Sequence, residues 1–242
     1  MTPKYKRIVI KVSGESLAAK GKSNLIFDAK NLFSFAKTVK AITEMGVEVG
    51  IVVGAGNIWR GRLADQIGIE TTTADYMGML GTIMNALAIQ SALEQQGCVS
   101  RVMSSINVNQ VCEPYIRRKA VHHLDNKRVV IFAGGTGNPY FTTDSTATLR
   151  ALEVEAEAIL MAKNGVEGVF DSDPRTNPEA KLIPYLTFHE VVEKQLGVMD
   201  LTAVAMLDGK AMEIRVFNSD DPENYLRVLR GEEIGTTIKT SK

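Results

Sequence analysis

The chain has 242 residues, 45% apolar and 23% charged, proportions that suit a folded protein with a substantial buried core. Its 28 basic and 28 acidic residues cancel, so no global field points to a nucleic-acid or membrane partner, and a phosphate-bearing ligand must be held by local features. No apolar run reaches membrane-spanning length, and the polar, basic residues 1–7 lead into no apolar leader, so a cytosolic protein is expected. Cys98 and Cys112 follow no metal or redox spacing, and two reduced, packed thiols are favoured over a disulfide.

In chain order, short β-branched runs alternate with longer helical patterns. This predicts an α/β fold with a mostly parallel central sheet flanked by helices on both faces, a three-layer sandwich. Strands are expected at 7–12, 47–53, 99–103, 128–133, 158–161 and 213–217, with 235–239 as a final edge strand. Leu32, Phe33, Phe35, Ala36, Val39, Ile42 and Met45 follow a 3.6-residue period and predict a helix over 28–45, with Gly46 as its left-handed C-cap. A long helix is predicted over 74–96, ended by Gly97, and its Gly78 and Gly81 mark a face for close packing. Thr187 and Glu190 match a capping box, and Asp221-Pro222 sets an N-cap before a proline at the first helical position. His122, His123 and His189 read as structural residues on helices. No repeat or linker divides the chain, so one domain over 1–242 is expected, with two lobes meeting at the strand ends.

In an open α/β sheet, ligands bind at the carboxyl ends of the strands. Four predicted strands run into unusual sequence there. The first continues as Lys11-Val12-Ser13-Gly14-Glu15-Ser16, which is neither a Walker A loop nor a dinucleotide fingerprint. It sets an ammonium beside small residues whose backbone N–H groups can approach a phosphate; a solvated surface lysine is the alternative. The second continues as Gly54-Ala55-Gly56-Asn57-Ile58-Trp59-Arg60-Gly61, exposed amides followed by a guanidinium fork. An ordinary turn is the alternative there, disfavoured by Arg and Trp together.

The third runs Gly134-Gly135-Thr136-Gly137-Asn138-Pro139-Tyr140-Phe141-Thr142-Thr143-Asp144 and opens a helix whose N-terminus attracts anions. Thr142, Thr143 or Asp144 can also serve simply as a cap. The fourth carries Lys163-Asn164-Gly165 and then Phe170-Asp171-Ser172-Asp173-Pro174, where a divalent-ion site competes with the more ordinary reading of a turn. Each turn alone is a weak signal. Together they converge on one edge of one sheet.

These segments, with Ala74-Asp75-Tyr76-Met77-Gly78-Met79-Leu80-Gly81 and Val198-Met199-Asp200-Leu201, resemble the amino acid kinase superfamily and, within it, the bacterial UMP kinases. The resemblance covers essentially the whole chain. It implies transfer of the γ-phosphoryl group of ATP to UMP, a step of pyrimidine nucleotide biosynthesis, with ATP held in one half of the domain and UMP in the other. By matching position it implies that Lys11, Val12, Ser13, Gly14, Gly56 and Arg60 lie along the ATP phosphates. Asn164, Phe170 and Asp173 would contact the adenosine end. Ala55, Asp75, Thr136, Gly137, Asn138, Pro139, Tyr140, Phe141, Thr142 and Thr143 would hold UMP, with Asp75 taking a ribose hydroxyl.

Lys11 and Arg60 are the candidate catalytic cations. Asp144 and Asp200 are candidates for orienting the lysine or a water of the metal; their plainer readings are an N-cap and a surface turn. Mg²⁺ carried in with ATP is the implied cofactor, and no protein ligands are assigned to it. The attacking phosphate oxygen is already anionic, so in-line transfer needs positioning and positive charge more than a base. The rival classes are a superfamily kinase acting on a carboxylate or carbamate, for which the 136–143 run and Asp75 are unneeded, and a non-catalytic nucleotide store, for which Lys11 and Arg60 are.

Three departures bear on regulation and shape. Ala55 stands where the family has the middle of three glycines, which is tolerable at negative φ. The arginine and histidine that GTP-activated relatives carry on the long helix correspond to Gln90 and Glu94, although Arg101 and Arg128 remain, which weakens a triphosphate site. The segment 18–24, linked to regulation in relatives, also departs. The resemblance further implies an allosteric homohexamer with UTP as a candidate inhibitor. Phe33 and Phe35 lie on different faces of the first helix, so either one meets another subunit or both belong to the core.

Overall fold

The computed structural model describes residues 2–19, 25–174 and 176–241. Most of the 18–24 segment therefore lies outside the described residues. Nearly continuous apolar runs form the centre of one sheet, because strands covered on both faces need no polar side. The strands are β1 (Arg7–Val12), β2 (Glu48–Val53), β3 (Ser100–Ser104), β4 (Glu113–Pro114), β5 (Val129–Ala133), β6 (Ala158–Lys163), β7 (Tyr185–Thr187), β8 (Glu213–Asn218) and β9 (Thr236–Lys239). Their order is β4-β3-β5-β2-β1-β6-β8-β9-β7. All neighbours are parallel except β8 and β9. The expected mostly parallel α/β sandwich is the observed fold.

Eight helices cover this sheet among the described residues: α1 (Ala29–Glu44), α2 (Ala64–Ile67), α3 (Thr71–Gln95), α4 (Arg117–Asp125), α5 (Thr143–Glu153), α6 (Phe188–Glu193), α7 (Leu201–Leu207) and α8 (Glu223–Leu229). On one face Ile8, Ile10 and Ile51 pack with Val39 and Ile42 of α1, Ile83 and Ile89 of α3, and Val228 of α8. On the other, Val9, Val52, Phe132 and Met161 pack with Ala147 of α5, Val191 of α6 and Val204 of α7. Alternation along β1 thus sends Ile8 and Ile10 to one core and Val9 to the other.

The end signals act as their chemistry requires. Asp28 accepts from the Lys30 and Asn31 amides to start α1, and Gly46 and Gly97 take positive φ of 88° and 76° behind α1 and α3. Thr187 and Glu190 form the full capping box of α6. At α8, Pro222 already has helical angles and Asp221 Oδ1 accepts from the Glu223 amide at 3.0 Å, so the aspartate caps as expected although the helix proper starts one residue later.

Two expectations are corrected and a third is resolved. Residues 235–239 do not form an edge: β9 lies between β8 and β7, and the edges are β4 and β7. Those two edge strands, of two and three residues, carry no recognisable alternation and were not expected. Asp200 is no surface turn; it caps α7, accepting from the Ala203 amide at 2.8 Å. Phe33 is 41% exposed, whereas Phe35 packs on the core, so the two do separate by face. Both cysteines are free thiols, Cys98 buried and Cys112 half-buried.

Candidate active site

The four glycine-rich turns follow β2, β1, β5 and β6, which are adjacent in the sheet as β5-β2-β1-β6. Parallel pairing puts their carboxyl ends on one edge. The first two turns press backbone against backbone. A Cβ at Gly14 would lie 2.6 Å from the Gly54 carbonyl oxygen and 2.9 Å from the Gly56 nitrogen, besides overlapping Asn57 Oδ1. No side-chain rotation relieves a clash with backbone, so position 14 needs glycine. Ala55 does not take a positive φ, which answers the question raised by its methyl. That methyl instead needs room on α3: a Cβ at Gly81 would sit 2.9 Å from Ala55 Cβ, and one at Gly78 would touch Trp59.

Two cavities open on either side of this junction. One, of about 290 Å³, is lined by Ala55, Gly56, Trp59, Asp75, Thr136, Asn138, Phe141, Thr142 and Thr143, among others. The second, of about 330 Å³, is lined by Lys11, Val12, Ser13, Asn164 and residues of α1 and α8. Both approach the volume of a small-molecule site. Gly54 is packed between elements of the two, since a Cβ there would stand 3.2 Å from Thr143 Oγ1 and 3.6 Å from the Gly14 nitrogen.

Lys11 leaves β1 toward α5, and its Nζ lies 3.0 Å from Asp144 Oδ1, both side chains about one-fifth exposed. Asp144 is not the cap of α5. Thr142 is, accepting from the Asp144 and Ser145 amides, which leaves the Asp144 carboxylate for the lysine. Asp200 in turn accepts from the Thr142 and Ser145 hydroxyls, tying the start of α7 to the start of α5. Arg60 lines neither cavity, although Trp59 and Gly61 on either side line the first: its Nη2 pairs with Glu15 Oε1 at 2.6 Å and its Nε donates to the Gly56 carbonyl at 3.2 Å. Asp75 accepts from the Tyr140 amide at 2.7 Å and so holds the 136–143 run across the mouth of the first cavity. Tyr140 itself is strongly exposed, at a positive φ of 70°. Gly137, Pro139, Tyr140, Phe170 and Asp173 line neither cavity. The 170–174 segment is a pinned turn, with Asp171 Oδ1 accepting from the Lys181 amide at 2.9 Å and the Asp173 carbonyl accepting from the Asn177 amide.

The turns are held from beneath by buried polar groups that the sequence motifs do not include. Asn85, fully buried on α3, donates to the Gly54 carbonyl at 2.7 Å and exchanges hydrogen bonds with Asn57 at 2.8 and 3.0 Å. Thr82, three residues earlier on the same helix face, accepts from the Gly134 amide at 2.9 Å. Arg150 donates to Ser105 Oγ and the Gly135 carbonyl, pairs with Glu153 and lies 3.9 Å over the Tyr115 ring. Such residues are legible only as polar interruptions of an apolar helix face, which their spacing alone does not explain. Among the described residues, no cluster of three or more His, Cys, Asp or Glu is arranged to hold a metal, and no helix is long and apolar enough to cross a membrane.

A mostly parallel sheet whose central strands end in interlocked glycine turns, a lysine–aspartate pair and two cavities beside them defines a phosphotransferase-type architecture. The amino acid kinase family model matches residues 6–218, and the chain belongs to that family. Among solved structures, a UMP kinase from Bacillus anthracis is 44% identical, with a TM-score of 0.93 over 98% of this chain and 97% of that one. A UMP kinase from Ureaplasma parvum is 37% identical, with a TM-score of 0.91 over 98% and 99%. A uridylate kinase from Archaeoglobus fulgidus is 28% identical, with a TM-score of 0.75 over 96% and 99%.

Proposed function

We propose that this protein is a kinase that transfers the γ-phosphoryl group of ATP to UMP. The observation that carries the reading is the pair of cavities beside the Gly14–Gly54 backbone contact, one lined by Thr143 and the other by Lys11; full-length likeness to two UMP kinases supports the choice of acceptor. ATP enters as its magnesium complex, a substrate, through the cavity of Lys11, Ser13 and Asn164. UMP occupies the cavity of Asp75, Thr136, Asn138 and Thr142.

The two phosphates then meet end to end over the glycine turns, the arrangement that in-line displacement requires. The acceptor oxygen arrives ionised, so Asp144 is not needed as a base; it holds the Lys11 ammonium toward the transferring group. Arg60 exchanges Glu15 for phosphate oxygens, and backbone amides of the Ser13–Gly14 and Ala55–Gly56 turns supply the remaining positive potential. The Asp75 carboxylate adds a ribose hydroxyl to its Tyr140 contact. The expected setting is the cytosol, and the assembly that goes with this reading is a homohexamer. The exposed Tyr76, Leu80 and Met84, four residues apart along α3, are an apolar stripe suited to a second copy; light scattering on the purified protein measures the state. Effects of UTP and GTP are read in the same kinase assay.

That assay follows ADP release with ATP and each of UMP, CMP, dTMP, carbamate and acetylglutamate. Activity confined to UMP is expected. Absence of activity with UMP overturns the acceptor assignment.

A further inference from the structure

Lys163 closes β6 at the head of the fourth unusual turn, but the sequence alone assigns it no role. The sheet register does. Lys11 on β1 stands opposite Met161 on β6, and residues two apart on a strand project to the same face. Lys163 therefore projects to the face of Lys11, the one covered by α5 and its Asp144. Its Nζ donates to the Val198 carbonyl at 2.9 Å, a neutral partner.

Burial depresses the Lys163 ammonium below its ordinary range, the nearby Lys11 charge depresses it further, and Asp144 opposes both. Two ammonium groups thus act on one another at the carboxyl edge, against the single carboxylate of Asp144. Elsewhere in the fold, two buried cations are matched by carboxylates, Arg7 by Glu48 and Asp125 and Arg150 by Glu153, whereas the buried Arg215 meets the Tyr5 hydroxyl and the Glu232 and Ile234 carbonyls. Like charges gathered in a partly desolvated site are unfavourable until an anion joins them.

We propose that Lys163 is a second phosphate-contacting ammonium, acting with Lys11 on the polyphosphate of a nucleoside triphosphate. This rests on the phosphotransferase reading, but not on UMP as the acceptor. Lys163 lines neither cavity itself and rests on the Val198 carbonyl, two residues before the α7 cap Asp200, beside Asn164, which lines the second cavity; a bound triphosphate draws it toward the β- and γ-phosphates. A purely structural lysine would need only to hold that carbonyl.

Lys163→Gln and Lys163→Arg separate the two roles. Glutamine keeps an N–H donor for Val198 and loses the charge; arginine keeps the charge. ATP affinity is measured by calorimetry without any acceptor, and turnover with UMP by ADP release. Lys163→Gln should weaken ATP binding about tenfold or more and lower kcat roughly a hundredfold, the scale of a lost transition-state donor, with UMP affinity unchanged. Lys163→Arg should recover at least about a tenth of wild-type turnover, in keeping with a role for charge. A Lys163→Gln protein within about threefold of wild type in both readouts overturns the proposal, since that is below what such a donor supplies.

If the variants fail to fold, wild-type protein is treated with an amine-acylating reagent with and without saturating ATP, and the Lys163 peptide is quantified by mass spectrometry. Shielding by ATP supports the contact; equal labelling overturns it. A wild type that binds ATP yet leaves UMP unphosphorylated would remove the acceptor assignment and leave the Lys163 test intact. A wild type that binds no ATP would overturn both.

Discussion

Arg7 and Lys11 sit on the same strand, four residues apart and on the same face, yet the two ends of β1 treat their cations in opposite ways. At the amino end Arg7 is 9% exposed, and its guanidinium is spent on Glu48 at 2.8 Å, the Val154 carbonyl at 2.6 Å and Asp125 at 2.6 Å. Glu48 is also met by Lys127 at 3.0 Å. At the carboxyl end Lys11 has Asp144 at 3.0 Å and a second lysine nearby. Charge that is fully matched inside the protein holds the fold. Charge left in excess at a strand end is free to act on something that arrives.

Variants can break this contrast. The largest effect is expected at the matched end: Arg7→Met leaves Glu48 buried with less compensation and should cost on the order of 3 kcal/mol in chemical denaturation, while activity per folded molecule stays near wild type. Lys11→Ala should do the reverse, lowering turnover roughly a hundredfold or more with little change in the denaturation midpoint. Near-wild-type turnover in folded Lys11→Ala protein would remove that residue from the chemistry. Gly14→Ala tests the backbone junction just beyond the carboxyl end, and overpacking against the Gly54 and Gly56 backbone should cost about 1–3 kcal/mol together with most of the activity.

The smallest effect is in pH. Burial raises the Glu48 carboxyl, but hydrogen bonds and charge from Lys127 and Arg7 outweigh it and hold the group below its usual 4.5. A depressed carboxyl stabilises the fold above its unfolded value and loses that contribution as pH falls through the folded one. Urea midpoints should therefore drop below about pH 4.5, and Glu48→Gln should flatten the slope.

The two ends also differ in how far they can be read from sequence. The six main strands were legible because continuous apolar runs leave no alternative to a doubly covered sheet. β7 was not, since Tyr185-Leu186-Thr187 is three residues whose strand character comes from pairing with β9, and missing it misplaced β9 at an edge. The glycine turns were legible because close backbone approach excludes a Cβ at Gly14. Asn85, Thr82 and Lys163 were not: a polar residue on a helix face or strand end acquires meaning only when register and packing say what lies opposite. Arg7 looked like part of a basic N-terminus, and nothing local signals its three distant partners. Phe170 and Asp173, assigned by resemblance alone, lie outside both cavities of this structure.

The most direct test of the central claim is product analysis of wild-type protein incubated with magnesium, ATP and UMP. UDP and ADP should form in equal amounts, with Lys11→Ala protein producing both far more slowly. ATP consumed without UDP, or no reaction at all in folded wild-type protein, would contradict it.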